Sequence, residues 1–180
     1  MEKKIETRYI AASETIAVRR TEEADLDYVV GAELADDNRP YITPWPSERH
    51  AAALQDLNAL HLIAEDYEAK PIGFAILRGI DDANRSVELM RIVVTEKGRS
   101  HGRAFLKLLQ AYAFGRLQAH RLWLDVKEGN ERALHLYKSL GFQYEGKLRE
   151  CLRSEGGGYE SLLVLSILER EYASAGERNE

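Results

Sequence analysis

The sequence predicts an α+β domain built on a central mixed sheet, and three observations predict it. Strand-like segments come first in succession, helical and strand patterns then alternate, and a pair of strand-like segments closes the chain. That order suits an α+β architecture and not a doubly wound nucleotide fold. Hydrophobic residues at 44% and charged residues at 31% are those of a chain that can bury a core. No repeat, low-complexity tract or linker divides the 180 residues, so one domain is expected, with a core over about 16–171. The expected inventory is about seven strands and four helices.

Residues 1–15 are polar apart from Ile5, Tyr9 and Ile10, and read as a ragged arm or an added edge strand. Residues 16–20 alternate as a short strand. Thr21 is placed to cap a helix running to about residue 36, with Glu22 and Glu23 in the first turn and Leu26, Val29, Val30 and Leu34 facing inward. The stretch NRPYITPWPS holds three of the four prolines and must be a loop. It is either a pocket wall presenting Tyr41 and Trp45 or a stiff connector packed on the core. A second helix is expected over 48–59. Residues 61–65 and 71–78 flank a polar turn as a hairpin, and 86–94 adds a third strand. Apolar residues at helical spacing mark 102–118, RLWLDV is a strand, and Asn130 caps a helix to Leu140 that Gly141 ends. Residues 142–153 and 159–167 close the sheet, and 172–180 form a charged, frayed tail.

The net charge of −5 argues against a nucleic-acid partner, which needs a basic face, and is compatible with a cationic substrate. No apolar run approaches a membrane span, and the first 14 residues have no apolar core of a secretory signal. Cys151 is the single cysteine. It excludes an internal disulfide, fits a reducing cytoplasm, and is expected to be buried and inert. The five histidines show no paired ligand spacing, so no metal is expected.

The most informative stretch is ELMRIVVTEKGRSHGRA: an apolar strand, a short turn, and the start of an amphipathic helix. Helix-initial N–H groups lack internal partners and carry partial positive charge, so such a junction can seat a phosphate. It is equally an ordinary crossover turn with two glycines. Further on stand Asn130-Glu131-Arg132-Ala133, then Tyr137, then Leu140-Gly141-Phe142.

Together, Arg99-Ser100-His101-Gly102-Arg103-Ala104 and this second motif resemble the GNAT family of acyl-CoA N-acyltransferases, over about residues 16–171. GNERALHLYKSLGF and YEGKLRE are similar to its branch of spermidine and ribosomal-protein N-terminal acetyltransferases. One departure is Ser100, where many members carry glycine. The resemblance implies acetyl-CoA as co-substrate, its pyrophosphate on the amides of Arg99 to Ala104, its pantetheine along Ile92, Val93 and Val94, and contacts from Asn130 and Ala133. It implies Tyr137 as general acid toward the departing thiolate. Glu88 is the candidate base, or else a solvated strand-end carboxylate. Glu33, Asp36 and Asp37, with Tyr41 and Trp45, either line an acceptor pocket for a polycation or form a solvated helix end. The expected activity is acetyl transfer to a polyamine or similar primary amine in a ternary complex. A peptide N-terminus as acceptor and a non-catalytic acyl-CoA-binding domain are the alternatives, and a homodimer is compatible with the family.

Overall fold

The structure, a computed structural model, describes residues 8–154 and 156–176. Among these, strands β1 (Tyr9–Ala12), β2 (Ala17–Arg20), β3 (Ala59–Glu65), β4 (Pro71–Arg78), β5 (Ser86–Val94), β6 (Arg121–Lys127), β7 (Gln143–Arg153) and β8 (Tyr159–Leu168) form one sheet in the order β1-β2-β3-β4-β5-β6-β8-β7. Five helices flank it: α1 (Leu26–Leu34), α2 (Ser47–Leu54), α3 (His101–Gly115), α4 (Glu131–Ser139) and α5 (Glu169–Gly176). Every neighbouring pair is antiparallel except β5/β6. This is the expected α+β class, with one more strand and one more helix.

Both extra elements come from segments expected to be loose. The arm becomes β1 because Tyr9 donates its hydroxyl to the buried Glu65 carboxylate (2.9 Å), which also pairs with Arg8 and Arg19. The tail becomes α5 because Tyr172 stacks on Phe114, ring centroids 4.7 Å apart. Residues 1–7, with Ile5, and 177–180 lie outside the described residues.

The sheet is covered on both sides at its centre, so β3 is buried along its whole length and β4 nearly so. Helices α3 and α4 cover one face through Phe105, Leu106, Leu109 and Tyr137. Helix α1 covers the other, where Val29 and Ala32 meet Ile63, Phe74, Ile76 and Val93. Leu34 does not share that stripe and is 50% exposed. The inward position goes instead to Glu33, whose carboxylate finds buried partners. Thr21 does not cap the first helical turn: its hydroxyl lies 2.8 Å from His61 Nδ1, and Glu22 with Asp25 forms a capping box in its place. Helix α2 stops at Leu54, and Ala59 begins β3. Cys151 is exposed on the edge strand β7, not buried.

Strand β5 is irregular on both of its edges. Ile76 pairs with Arg91 while Leu77 pairs with Leu89, so Met90 is the extra residue of a β-bulge, which bends the strand that carries it. On its other side β5 pairs with β6 only from Ser86–Arg121 to Glu88–Trp123. Beyond that rung the two parallel strands diverge and leave facing edges without strand partners. Gly73 on β4 lets the β5 backbone lie close behind, since a Cβ there would sit 2.6 Å from the Val93 carbonyl oxygen.

Candidate functional site

The divergence of β5 and β6 opens a cleft of about 850 Å³. Ile92, Val93 and Val94 line one wall and Asp125, Val126 and Lys127 the other; Gly98, Ser100 and Gly102 of the turn line it too, as do Asp37, Tyr41 and Ile42, with Asp37 near enough to act on the charge of Lys97. The bulge explains the opening better than composition does, because the apolar run of β5 carries no mark of where pairing stops.

The turn entering α3 is built by backbone conformation. Ser100 precedes the helix at φ 59°, ψ 7°, a left-handed conformation that glycine adopts freely and serine holds at a cost of about 1 kcal/mol or more. That is a physical reason for glycine to be usual at this position. His101, Gly102 and Arg103 open a 15-residue helix with their N–H groups toward the cleft end. Ala104 is different: its N–H already donates to the Ser100 carbonyl (3.0 Å), so it cannot serve an anion as expected. Gly102 has only ordinary contacts waiting for a Cβ, with Leu136 at 3.7 Å and Val94 at 3.9 Å, so protein packing alone does not demand a glycine there.

Of the cations in the lining near the turn, Arg103 lies within the expected stretch, whereas Lys97 and Arg132 were not anticipated. Arg99, expected to add its charge at the turn, is not among the residues that line the cleft; it is 74% exposed and 3.6 Å from Glu96. Lys97, Arg103 and Arg132 line the cleft instead. Burial, then the Arg132 charge, push the Lys97 ammonium below its ordinary range although Asp37 opposes them and Asn38 accepts its hydrogen bond (2.5 Å), so Lys97, Arg103 and Arg132 leave an excess of positive charge over Asp37. Free helix-initial amides together with this excess fit a diphosphate. Arg132 sits inside the Asn-Glu-Arg-Ala motif, but nothing in spacing says that its side chain reaches the turn.

Helix α4 holds Tyr137 from both ends. Asn130 accepts a hydrogen bond from the Ala133 N–H (3.2 Å), the expected cap, and both residues line the cleft. At the other end Gly141 takes φ +92°, Gly141 N–H donates to the Lys138 carbonyl (3.1 Å), and Phe142 N–H donates to that of Tyr137 (3.1 Å). This is a Schellman closure, and the apolar contact that accompanies such closures is here Tyr137 against Phe142, ring centroids 5.8 Å apart. The Tyr137 side chain is 7% exposed, lines the cleft, and makes no hydrogen bond to any described residue. Burial, and then the charge of Asp125, push its phenol well above the usual range. The hydroxyl therefore stays protonated at every physiological pH.

The acidic residues are distributed differently from the expectation. Glu88 is half-buried at the last β5/β6 rung and is not among the residues that line the cleft. Burial, then repulsion from Asp125, raises its carboxyl. Asp125, two residues past the rung, does line the cleft and was missed because an alternating strand hides which side chain lies at the fork. Glu33 is fully buried, paired with Arg91 and 3.3 Å from His50, and accepts the Trp45 N–H (2.7 Å), so it is no surface carboxylate. Asp36 and Trp45 do not line the cleft, whereas Asp37 and Tyr41 do. Trp45 instead lies between Arg49 and Arg91, whose guanidinium carbons are 3.9 and 4.7 Å from its ring centroid.

Known proteins are similar in sequence and in fold. A sequence model described as the acetyltransferase (GNAT) family matches residues 32–142. The chain is 27% identical to the spermidine N(1)-acetyltransferase of Vibrio cholerae, over 90% of this chain and 98% of that one. It is 31% identical to a Bacillus subtilis protein provisionally named a ribosomal N-acetyltransferase, over 77% of this chain and 73% of the relative. Among solved structures, the Vibrio cholerae spermidine N-acetyltransferase in complex with CoA and spermine superposes with a TM-score of 0.80 at 25% identity, covering 89% of this chain and 99% of that one. A dodecameric structure of the same enzyme gives 0.77 at 25% identity, covering 91% and 99%. The family match over residues 32–142, with these relatives in sequence and in fold, shows that the chain belongs to the acetyltransferase (GNAT) family, as an N-acetyltransferase that uses acetyl-CoA.

Proposed function

We propose that this enzyme transfers the acetyl group of acetyl-CoA to a primary amine of a polyamine or similar small amine, by direct attack in a ternary complex. The observation that carries the reading is the fork between β5 and β6, with Tyr137 in its wall. The turn before α3 has the amides of His101, Gly102 and Arg103 and the Lys97, Arg103 and Arg132 cations nearby in the lining, suited to a diphosphate. Asp37 and Tyr41 also line the cleft, a carboxylate and a phenol suited to an aliphatic ammonium. Spermidine as the substrate in a relative's name and spermine in a neighbour's complex support a polyamine.

Acetyl-CoA supplies an acetyl group already activated as a thioester. The free edge of Ile92 to Val94 orients the chain that carries it, and a backbone amide of that edge is the donor toward the carbonyl oxygen, a contribution of about 3 kcal/mol in comparable sites. Tyr137 is the general acid. A phenol raised by burial is a weaker acid than a thiol near pKa 8.5, so its proton moves only together with cleavage of the carbon–sulfur bond. A dodecameric neighbour supports assembly into a homo-oligomer.

The test is thiol release from acetyl-CoA with spermidine, spermine, propylamine and short peptides led by alanine or serine. Turnover with the polyamines at least tenfold above the peptides is the expected result. Peptide turnover exceeding polyamine turnover would transfer the reading to protein N-termini, and no release with any acceptor would end it.

A further inference from the structure

Beyond their last shared rung, Glu88–Trp123, β5 and β6 each carry a cation that reaches the same loop. From β5, the Arg91 guanidinium pairs with the buried Glu33 carboxylate and donates through Nη2 to the Thr43 carbonyl (3.1 Å). From β6, the Lys127 ammonium pairs with Glu160 (2.8 Å) and donates to the Pro40 carbonyl (3.0 Å). Both cations line the cleft, and so do Tyr41 and Ile42, the residues between the two anchored carbonyls. Segment 40–43 is therefore held from both strands at a level where they no longer pair with each other.

The sequence makes this segment stiff without fixing its place on the sheet. Pro40 has a set φ, and Thr43 precedes Pro44, which keeps it out of the helical region. The bond from the Tyr41 N–H to the Asn38 carbonyl (2.9 Å) is local. A short rigid segment of this kind keeps its shape, and the side chains that grip it decide where it lies. Arg91 grips with contacts that a lysine cannot make together: the Glu33 pair, the Thr43 bond, and its face on the Trp45 ring at 4.7 Å. Glu33 and Glu160 answer the two charges, so the anchors add little free positive charge to a cleft that admits a cation.

Building on the acetyl-transfer reading, we propose that Arg91 and Lys127 are positioning residues for the acceptor amine. One from each strand, they fasten residues 40–43 across the fork and fix Tyr41 and Ile42 as the wall along which the carbon chain of the amine lies. Both act through the loop and not on the reacting atoms. Charge alone and positioning predict opposite signs for Lys127. If its ammonium only repels a cationic substrate, Lys127→Met lowers the spermidine KM; if it holds the wall, the same change raises it.

The experiment measures kcat and KM for spermidine and, separately, the acetyl-CoA Kd. It uses the full chain as wild type, Lys127→Met, Arg91→Lys, the double variant and Glu160→Gln. Arg91→Lys keeps a cation beside Glu33, so no buried carboxylate is left unpaired. Each anchor variant is expected to raise the spermidine KM about 5- to 10-fold, with kcat and the acetyl-CoA Kd within about threefold. The double variant is expected to be little worse than the more impaired single one, because either loss frees the same segment. Glu160→Gln spares the Pro40 bond and is expected to stay within about twofold of wild type. A spermidine KM that falls, or rises less than about threefold, in Lys127→Met overturns the assignment. So do effects that multiply fully in the double variant, a Glu160→Gln variant as impaired as Lys127→Met, or an acetyl-CoA Kd weakened as much as the KM. A wild type that acetylates no amine overturns the acetyl-transfer reading, and this assignment with it.

Discussion

At the scale of single residues, Tyr137 joins two properties that rarely meet: a buried side chain and a hydroxyl without a hydrogen-bond partner among the described residues, at a cleft wall. Removing the hydroxyl should leave the fold intact, since no hydrogen bond within the described protein is lost. Tyr137→Phe is expected to shift Tm by no more than a degree or two, and to lower kcat by about 100- to 10,000-fold with the acetyl-CoA Kd unchanged. A variant with full kcat would remove Tyr137 from the chemistry. The family resemblance implied this side chain and Asn130, but could not weigh one carboxylate against another. Glu33 and Glu88 looked available in sequence; the first is sealed against Arg91 and His50, and the second stops one rung short of the cleft.

At the scale of elements, α4 is nine residues long, too short to persist by propensity alone. Its two caps set the angle at which Tyr137 meets the cleft. Asn130→Ala removes the bond to the Ala133 N–H and is expected to cost about 1 kcal/mol in urea denaturation, with Asn130→Asp restoring most of it. A larger loss in acetyl-CoA affinity than in stability would mean that Asn130 also touches the ligand. These caps were legible, because Asn, Gly and the following Phe are local signals. The β5 bulge was not, because it depends on which residues of β4 lie opposite.

At the scale of the whole molecule, a chain of buried polar groups ties α1, α2 and β3 together. His50 Nδ1 lies 3.1 Å from His61 Nε2, His61 Nδ1 lies 2.8 Å from the Thr21 hydroxyl, and His50 leads on to Glu33 and Arg91 at the cleft. Burial, then the neighbouring His50, holds His61 at a pKa of about 4, below its ordinary 6.5. Its folded pKa is depressed, so stability is full above pH 6.5. Between about 6.5 and 4 the unfolded chain takes a proton that the native state refuses, and stability falls by about 2–3 kcal/mol by pH 4.5. Urea midpoints at pH 7.5 and 4.5 should show that loss in wild type and a smaller one in His61→Gln. Equal losses would mean that another group carries the acid sensitivity.

Local order was determined by the sequence itself: periodicity and caps predicted the helices and most strands, and two short motifs marked the turn before α3 and the tyrosine of α4. Those signals suffice because hydrogen bonds within a turn or a helix end involve residues a few positions apart. Tertiary structure alone decided where β5 leaves β6, which cations gather at the turn, and which acid faces the opening. Each of those depends on residues from separate strands and helices arriving at one place, and a distance along the chain holds no record of that meeting.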